Sequence, residues 1–208
     1  MFRARYADVT VPENPADPAA PRLAGLVLAA GAGTRFGGPK GLARELDGRS
    51  WVEIATRMLT ATGCADVLVA VGARADEVTA LIPRDARAVP VPDWAEGIAA
   101  SLRAGLAAAT MTDATALLIV PVDTPAMPLA ALERVRDAGG GDAAALVQAV
   151  YAGSAGHPVL IGRAHWAAVA ASVSGDRGAR PYLARHGVRE IECGDLWSGA
   201  DVDRRPIR

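Results

Sequence analysis

Continuous apolar segments alternate with amphipathic segments along most of the chain. Runs rich in Val, Leu, Ile and Ala that lack polar alternation are typical of strands buried on both faces. On this basis strands are predicted at residues 23–30, 67–71, 86–91, 116–122, 144–150, 157–161 and 188–192.

Helices are predicted between these strands, where apolar residues recur three or four positions apart. The clearest helix is at residues 51–62, with an apolar face formed by Trp51, Ile54, Ala55, Met58 and Leu59. The others are predicted at residues 76–82, 97–109, 129–137, 163–172 and 179–186. This alternation predicts an α/β fold whose mostly parallel central sheet is covered by helices on both faces.

The chain has 208 residues, of which 51% are apolar, and a formal net charge of −1. This length suffices for one well-packed domain, and the near-neutral charge does not favour nucleic acid as a ligand. Prolines recur among small and acidic residues near the N-terminus. We therefore predict a flexible Pro-rich tail at residues 1–22 and a folded domain at residues 23–208.

Neither a membrane segment nor a secretory signal is predicted. No apolar run reaches the roughly 18 residues of a membrane span, and the N-terminus lacks a basic segment followed by an apolar one. Cys64 and Cys193 are far apart and have no metal-ligand spacing, so we interpret them as ordinary thiols in a reducing compartment. A cytoplasmic protein is expected.

The chain contains 21 arginines but a single lysine, Lys40, which ends a glycine-rich loop at residues 31–40. The loop directly follows the first predicted strand. Glycines allow backbone N–H groups to turn toward an anion, and a lysine adds a compact, flexibly tethered positive charge. Both this loop and Asp123 follow predicted strands, and parallel sheets bind ligands at the carboxyl ends of their strands. These features predict a phosphate site containing Lys40 and Asp123.

The loop does not match two common phosphate-binding patterns. It is not a Walker A motif, because Lys40 is followed by Gly41 where that motif requires Ser or Thr. It is not a dinucleotide fingerprint, because Phe36 occupies the place of the third glycine and no acidic residue follows the second strand at Val71-Gly72. A dehydrogenase is therefore not favoured.

The strand and loop resemble the nucleotidyltransferase signature L-A-A-G-x-G-x-R-F/M-G-x-x-K. The nearly complete match is Leu28-Ala29-Ala30-Gly31-Ala32-Gly33-Thr34-Arg35-Phe36-Gly37-Gly38-Pro39-Lys40. Within that superfamily the chain resembles the molybdenum cofactor cytidylyltransferase group, also described as molybdopterin NTP-transferase-like. Four segments carry this resemblance. Residues 94–102 resemble the W-x-x-G-M-x-x-S-L segment of the group, and residues 121–125 resemble its metal-binding strand end. Residues 156–160 resemble its G-H/N-P-V-L turn, and residues 175–180 resemble its G-D-x-G-A-R loop.

This resemblance covers about residues 23–203 and implies a three-layer Rossmann-like nucleotidyltransferase fold. It implies catalytic roles for Arg35 and Lys40 and a magnesium site at Asp123. A C-terminal D-x-D-T-P segment of the group matches Asp201 and Asp203 but breaks at Arg204, so Asp203 is the second expected metal ligand and Asp201 the weaker match. Nucleotide contacts are expected from Leu28, Ala29, Ala30, Gly31, Gly33, Lys40, Gly97 and Ser101. Acceptor contacts are expected from His157, Asp176 and Arg180.

The implied reaction is magnesium-dependent transfer of CMP from CTP to the phosphate of molybdopterin or the molybdenum cofactor, with release of pyrophosphate. The resemblance favours CTP because guanylyl-transferring relatives have Ala-Gly-Gly where this chain has Ala29-Ala30-Gly31, and an added methyl near the base opposes the larger purine. It suggests a molybdenum hydroxylase or its maturation factor as the protein partner. Two alternatives to this function remain open. The chain would then be either a nucleotidyltransferase that acts on a sugar or polyol phosphate, or a non-catalytic nucleotide-binding maturation factor.

Overall fold

A computed structural model describes residues 22–204 of the protein. The predicted tail at residues 1–22 lies outside the described residues except for Arg22, and so do Arg205 and Pro206. Within residues 22–204, no helix is both long enough and apolar enough to cross a membrane.

Residues 22–204 form seven strands and six α-helices, and a helix separates most successive strands. The strands are β1 (Leu23–Ala29), β2 (Asp66–Val71), β3 (Ala86–Pro90), β4 (Ala116–Pro121), β5 (Leu146–Tyr151), β6 (Ser154–Gly162) and β7 (Arg189–Glu192). The helices are α1 (Trp51–Ala61), α2 (Ala75–Thr79), α3 (Ile98–Ala109), α4 (Leu129–Gly139), α5 (Trp166–Ser172) and α6 (Arg180–Arg185). Short 3-10 turns at Lys40–Leu42, Trp94–Glu96, Arg163–His165 and Gly175–Arg177 complete the structure.

The strands form one sheet in the order β3-β2-β1-β4-β6-β5-β7. All neighbouring pairs are parallel except the two that involve β6, which is antiparallel to β4 and β5. The predicted mostly parallel α/β fold is therefore confirmed.

Alternate residues of each strand point into two separate hydrophobic cores, as expected for a sheet covered on both faces. In β1, Val27 belongs to the core that contains residues of α1, α2 and α4, whereas Leu26 belongs to the core that contains residues of α3, α5 and α6. Gly105 of α3 lets this helix approach the sheet closely, because a Cβ there would lie 2.3 Å from Leu26 Cδ2. Cys64 and Cys193 are free and buried, and desolvation raises the pKa of Cys64 to about 12.

Most predicted boundaries are within a few residues of the observed ones, but the single helix predicted at residues 163–172 was wrong. The segment at 163–172 is not one helix, because it begins as the 3-10 turn Arg163–His165. His157 was placed both at the start of a predicted strand and in the resembled G-H/N-P-V-L turn; it lies inside β6, which begins earlier, at Ser154. The actual turn is at Ala152 and Gly153, which both have positive φ and connect β5 to β6 as a two-residue hairpin.

Candidate active site

The glycine-rich loop after β1 folds back onto its own backbone. Gly33 O accepts hydrogen bonds from the N–H groups of Phe36, Gly37 and Gly38 at 2.9, 2.9 and 3.0 Å. Gly33 has a φ of +59°, and a Cβ there would lie 2.1 Å from Gly38 O, so this turn requires glycine. Phe36 is buried against Trp51, with ring centroids 5.1 Å apart, which anchors the loop to α1.

Gly33→Ala is expected to disrupt the loop while leaving the two cores intact. A left-handed alanine costs roughly 1–2 kcal/mol, and the clash with Gly38 O adds to that cost. We expect at least about tenfold weaker nucleoside triphosphate binding by calorimetry, since 1.4 kcal/mol corresponds to a factor of ten. Gly31→Ala is the matched control for folding, because a Cβ at Gly31 meets no heavy atom within 4 Å. Equal thermal stability and nucleotide affinity in Gly33→Ala and the wild type would contradict this role of Gly33.

Lys40 begins the turn that follows the loop, and its ammonium group lies between two carboxylates. Lys40 Nζ donates to Asp123 Oδ2 at 2.8 Å and to Asp203 Oδ1 at 3.1 Å. Arg35 Nη1 is 3.4 Å from Asp203 Oδ2. The side chains of Lys40 and Asp123 are only 14% and 20% exposed, whereas that of Arg35 is 76% exposed. Lys40 and Asp123 thus form a sheltered pair beside a solvent-facing arginine.

The charges in this group stabilise one another. Partial burial alone would lower the pKa of Lys40, but the hydrogen bonds and charges of Asp123 and Asp203 together outweigh that effect and raise its pKa. The hydrogen bond and charge of Lys40, followed by the charge of Arg35, lower the pKa of Asp203. The Lys40–Asp203 ion pair is therefore present at neutral pH. It is lost only as the pH rises through the pKa of Lys40 or falls through that of Asp203.

Two backbone contacts bring the carboxylates to this position. Val122 N donates to Leu28 O at 3.1 Å, which keeps Asp123 at the carboxyl edge of the sheet next to the glycine-rich loop. Val202 N donates to Asp123 O at 2.9 Å, so the C-terminal segment crosses this edge and delivers Asp203 to Lys40. The arginine at position 204, which departs from the resembled segment, does not prevent this contact.

Asp123 and Asp203 offer hard carboxylate oxygens on either side of Lys40 Nζ. Within residues 22–204 no cluster of three or more His, Cys, Asp or Glu side chains could hold a metal ion. Mg²⁺ is commonly held by one or two carboxylates, with waters and substrate phosphates completing its octahedron. The two aspartates therefore fit a magnesium ion that is bound together with a phosphate substrate.

A cavity of about 490 Å³ opens next to these charged groups, on the face of the sheet covered by α3. Its floor and walls are mostly aliphatic, and polar side chains line the rest. The polar lining residues are Gln148, His157, Asp176, Arg177, Arg180 and Asp201. The predicted acceptor residues His157, Asp176 and Arg180 thus line the same cavity. The two C-terminal aspartates have different positions, because Asp201 lines this cavity and Asp203 bonds to Lys40.

Comparison with known proteins assigns a family to this arrangement. Residues 25–190 match the MobA-like NTP transferase domain. The chain belongs to this family. It is therefore a nucleotidyltransferase related to the enzymes of molybdenum cofactor metabolism, as the sequence resemblance predicted.

Two curated relatives match most of the chain. Nicotine blue oxidoreductase of Paenarthrobacter nicotinovorans is 36% identical over 192 residues, covering 88% of this chain and 93% of that protein. Molybdenum cofactor guanylyltransferase of Burkholderia orbicola is 34% identical over 191 residues, covering 86% of this chain and 89% of that protein.

Solved structures share the fold. Rv0371c of Mycobacterium tuberculosis H37Rv superposes with a TM-score of 0.75 at 29% identity, covering 89% of this chain and 94% of that one. A structure of Rv0371c in complex with manganese has a TM-score of 0.66 at 26% identity, covering 83% and 88% of the two chains. A nucleotidyl transferase from Methanothermobacter thermautotroptrophicus, Mth528, matches in fold alone, with a TM-score of 0.75 at 22% identity over 88% and 92% of the chains.

The loop at residues 175–180 packs directly on the N-terminus of α3 in this family member. Gly97, with a φ of +103°, precedes the helix, and a Cβ there would lie 2.2 Å from Asp176 Oδ1. Asp176 therefore lies beside Gly97, which was predicted to contact the nucleotide. Arg180, the last residue of this loop and the first of α6, donates to Ala155 O at 3.1 Å, and both residues line the cavity.

Two of the residues expected to contact the nucleotide, Ala30 and Ser101, have buried side chains. Ala30 is 2% exposed and packs in the hydrophobic core beneath α3, so its methyl group does not form a free wall beside a base. Ser101 is buried on α3 and does not line the cavity, whereas Ile98 and Leu102 of the same helix do. The steric argument for CTP over GTP therefore lacks a direct contact at Ala30.

His157 occupies a sheltered position in the cavity. Burial lowers the pKa of His157 to about 4, with the negative charge of Asp123 opposing this shift and the positive charge of Arg180 adding to it. The imidazole is therefore neutral at pH 7 and offers a hydrogen bond without a charge.

Two polar residues were not predicted from the sequence: Gln148, which lines the cavity, and Tyr151, which contacts the cavity residue His157. Gln148 lines it from β5, within a segment that was interpreted only as a buried strand. Tyr151 donates from its hydroxyl group to His157 O at 2.6 Å and packs edge-on against Trp197 at 5.4 Å. The polar Gln148 in an otherwise apolar strand was the available signal for the first residue.

Proposed function

We propose that this protein transfers CMP from CTP to the terminal phosphate of molybdopterin or its molybdenum-loaded form, using Mg²⁺ and releasing pyrophosphate. The observation that carries this proposal is the position of Lys40 between Asp123 and Asp203, directly after the glycine-rich loop. The reaction would take place in the cytoplasm. A molybdenum hydroxylase or its maturation factor would receive the product.

In this reaction an acceptor phosphate oxygen attacks the α-phosphorus of the triphosphate, and the bond to pyrophosphate breaks. Lys40 and Arg35 would neutralise charge that develops on the phosphate oxygens, and the backbone N–H groups of the loop would orient the triphosphate. Mg²⁺ held by Asp123 and Asp203 would polarise the phosphate oxygens. The attacking phosphate is already ionised, so the neutral His157 has no proton to remove and would serve in binding.

The acceptor would lie in the 490 Å³ cavity with its phosphate toward Asp123. Asp201 lines this cavity, and it belongs to the same C-terminal segment as Asp203, which bonds to Lys40. Arg177 and Arg180 line the cavity together with Asp176 and Asp201, and the two guanidinium groups suit the phosphate of an anionic acceptor. A sugar or polyol phosphate would use the same charges, so the acceptor has to be distinguished by experiment.

GTP is a second candidate donor. The relative from Burkholderia orbicola is named a guanylyltransferase, and the buried Ala30 methyl group gives no direct barrier to a purine. CTP is supported by the likeness of Ala29-Ala30-Gly31 to the cytidylyl-transferring group.

Oxidoreductase activity is a less favoured candidate, suggested by the name of the relative from Paenarthrobacter nicotinovorans. In this chain Phe36 is a buried anchor at the place of the third glycine of a dinucleotide loop. The paired carboxylates around Lys40 suit a metal-bound triphosphate better than a nicotinamide.

The test measures pyrophosphate release by purified protein with Mg²⁺ and molybdenum-loaded molybdopterin, with CTP, GTP, ATP and UTP offered separately. We expect release with CTP that requires the pterin, and a CMP adduct identified by mass spectrometry. Pyrophosphate release with GTP would favour guanylyl transfer. Release that occurs only when a sugar or polyol phosphate takes the place of the pterin would identify that phosphate as the acceptor. Nucleotide binding without release from any acceptor would favour a non-catalytic maturation factor, and oxidation of NADH would favour the oxidoreductase.

A further inference from the structure

The cavity beside the Lys40 group combines an aliphatic interior with a charged side. Leu28, Ile98 and Ile119 are among the residues that form its apolar surface, whereas Arg180 and Asp201 contribute charge. Its volume of about 490 Å³ lies in the range of sites that enclose small organic ligands. An acceptor that fits this cavity therefore carries an apolar or flat body in addition to its phosphate.

Gln148 is the neutral amide side chain in this cavity, and it is only 7% exposed. Its Nε2 donates to Gly156 O at 3.1 Å. Because the partner is a carbonyl oxygen, the group that faces it must be the NH₂ of the amide. The position of the amide oxygen is thereby fixed on the opposite side.

The Oε1 atom of Gln148 makes no hydrogen bond to any residue in the range 22–204. In the same range, no buried side-chain oxygen or nitrogen is sealed from solvent without a partner. The amide oxygen is therefore open to the cavity that Gln148 lines. A nearly buried acceptor with no protein partner is expected to receive a hydrogen bond from a ligand or from water.

We propose that Gln148 is a specificity-determining residue whose Oε1 accepts a hydrogen bond from an N–H group on a planar heterocycle of the acceptor. This inference rests on the proposed function, because it concerns the acceptor of the same transfer reaction. The proposed hydrogen bond involves the part of the acceptor that lies away from its phosphate.

The surroundings of Gln148 favour a heterocycle over a sugar. The aliphatic side chains of Leu28, Ile98 and Ile119 provide surfaces for the faces of a flat ring, whereas hydroxyl groups of a sugar would be buried against them without partners. The other polar group from the neighbouring strand is His157, which burial keeps neutral. Neutral hydrogen-bonding groups between aliphatic walls suit an uncharged ring with N–H donors on its edge.

The test compares binding of two bicyclic probes to full-length wild type and to Gln148→Met, which has a similar shape but no amide. Pterin carries N–H donors, and quinazoline has a similar ring size without them. Dissociation constants are measured by fluorescence for pterin and by ligand-detected NMR for quinazoline. We expect Gln148→Met to weaken pterin binding about five- to tenfold, the effect of one neutral hydrogen bond, and to leave quinazoline binding unchanged within about twofold.

Ile98→Val is the matched control, because it trims the aliphatic wall without altering a hydrogen bond and should weaken both probes alike. CTP affinity and thermal stability of Gln148→Met are measured alongside, since the variant also leaves Gly156 O without its donor. Equal effects of Gln148→Met on pterin and quinazoline, or no effect on either, would overturn the proposed role of Gln148. So would failure of the wild type to bind pterin.

These binding measurements separate the inference from the proposed function. Pterin binding that depends on Gln148 would support the inference even if no nucleotide were transferred. Conversely, CMP transfer to a sugar phosphate, in a protein that does not bind pterin, would reject the inference while leaving nucleotidyl transfer intact.

Discussion

Lys40→Ala is expected to reduce nucleotidyl transfer on the order of 10²–10³-fold in kcat while the protein remains folded. Lys40 is the single lysine of the chain, and its ammonium group lies 2.8 Å from Asp123 and 3.1 Å from Asp203. Removing it takes away the charge best placed to stabilise the phosphates during transfer. Its side chain belongs to neither hydrophobic core, so the core packing does not change.

The loss should appear in kcat more than in the affinity for the triphosphate, because the loop N–H groups and Arg35 remain to bind the ground state. Lys40→Arg is expected to restore only a small part of the activity. The planar guanidinium is larger and more rigid than the ammonium group that now fits between two carboxylates.

The measurement is single-turnover transfer with saturating triphosphate, together with thermal unfolding. Arg57→Ala is a suitable control, because Arg57 forms an exposed ion pair with Glu53 on α1, away from the loop. Activity of Lys40→Ala within tenfold of the wild type would be incompatible with the role assigned to Lys40.

The fold was predictable from the sequence because its sheet is buried on both faces. Such strands are continuously apolar, and the 116–122 segment, for example, corresponds to β4 (Ala116–Pro121). The order of the strands in the sheet, and the direction of β6, were harder to predict from the sequence. The antiparallel β6 depends on the two-residue turn at Ala152 and Gly153, where the non-glycine Ala152 adopts a positive φ that sequence patterns do not favour.

The loop and the strand-end aspartate were predictable because both follow strands that share one edge of the sheet. The contact between Lys40 and Asp203 was not, since it joins residues far apart in sequence and depends on the path of the C-terminal segment. That path is fixed by tertiary contacts, such as Val202 N with Asp123 O and Trp197 with Tyr151. The resemblance suggested Asp203, but only the fold brings it to Lys40.

The motif alone did not predict the surroundings of the Ala30 side chain. In the sequence, the methyl group stands next to Gly31 and suggests a steric filter for the base. In the structure, it is packed in the core with residues of α3. Any influence on base choice would therefore act through the backbone at this strand end, where Ala30 O accepts a hydrogen bond from Ala73 N at 2.9 Å.

Asp123→Asn is expected to lower transfer by about 10²-fold or more and to weaken binding of the metal ion that accompanies the triphosphate. The amide keeps the size of the side chain but removes the charge that a divalent cation requires. Lys40 retains Asp203 as a partner in this variant, so the ammonium group is still held near the loop. A large effect would therefore report on the carboxylate of Asp123 itself.

Asp203→Asn is expected to have a smaller effect than Asp123→Asn, because Asp203 is 48% exposed and Asp123 only 20%. Charges near water are screened more strongly than sheltered ones. Manganese binding in the presence of CTP, followed by electron paramagnetic resonance, measures the metal directly, and kcat is measured in parallel. Asp113→Asn serves as the control, since Asp113 is exposed and contacts Arg22 instead of the site. If Asp123→Asn bound manganese as tightly as the wild type, Asp123 would not be a metal ligand, and its role would be limited to positioning Lys40.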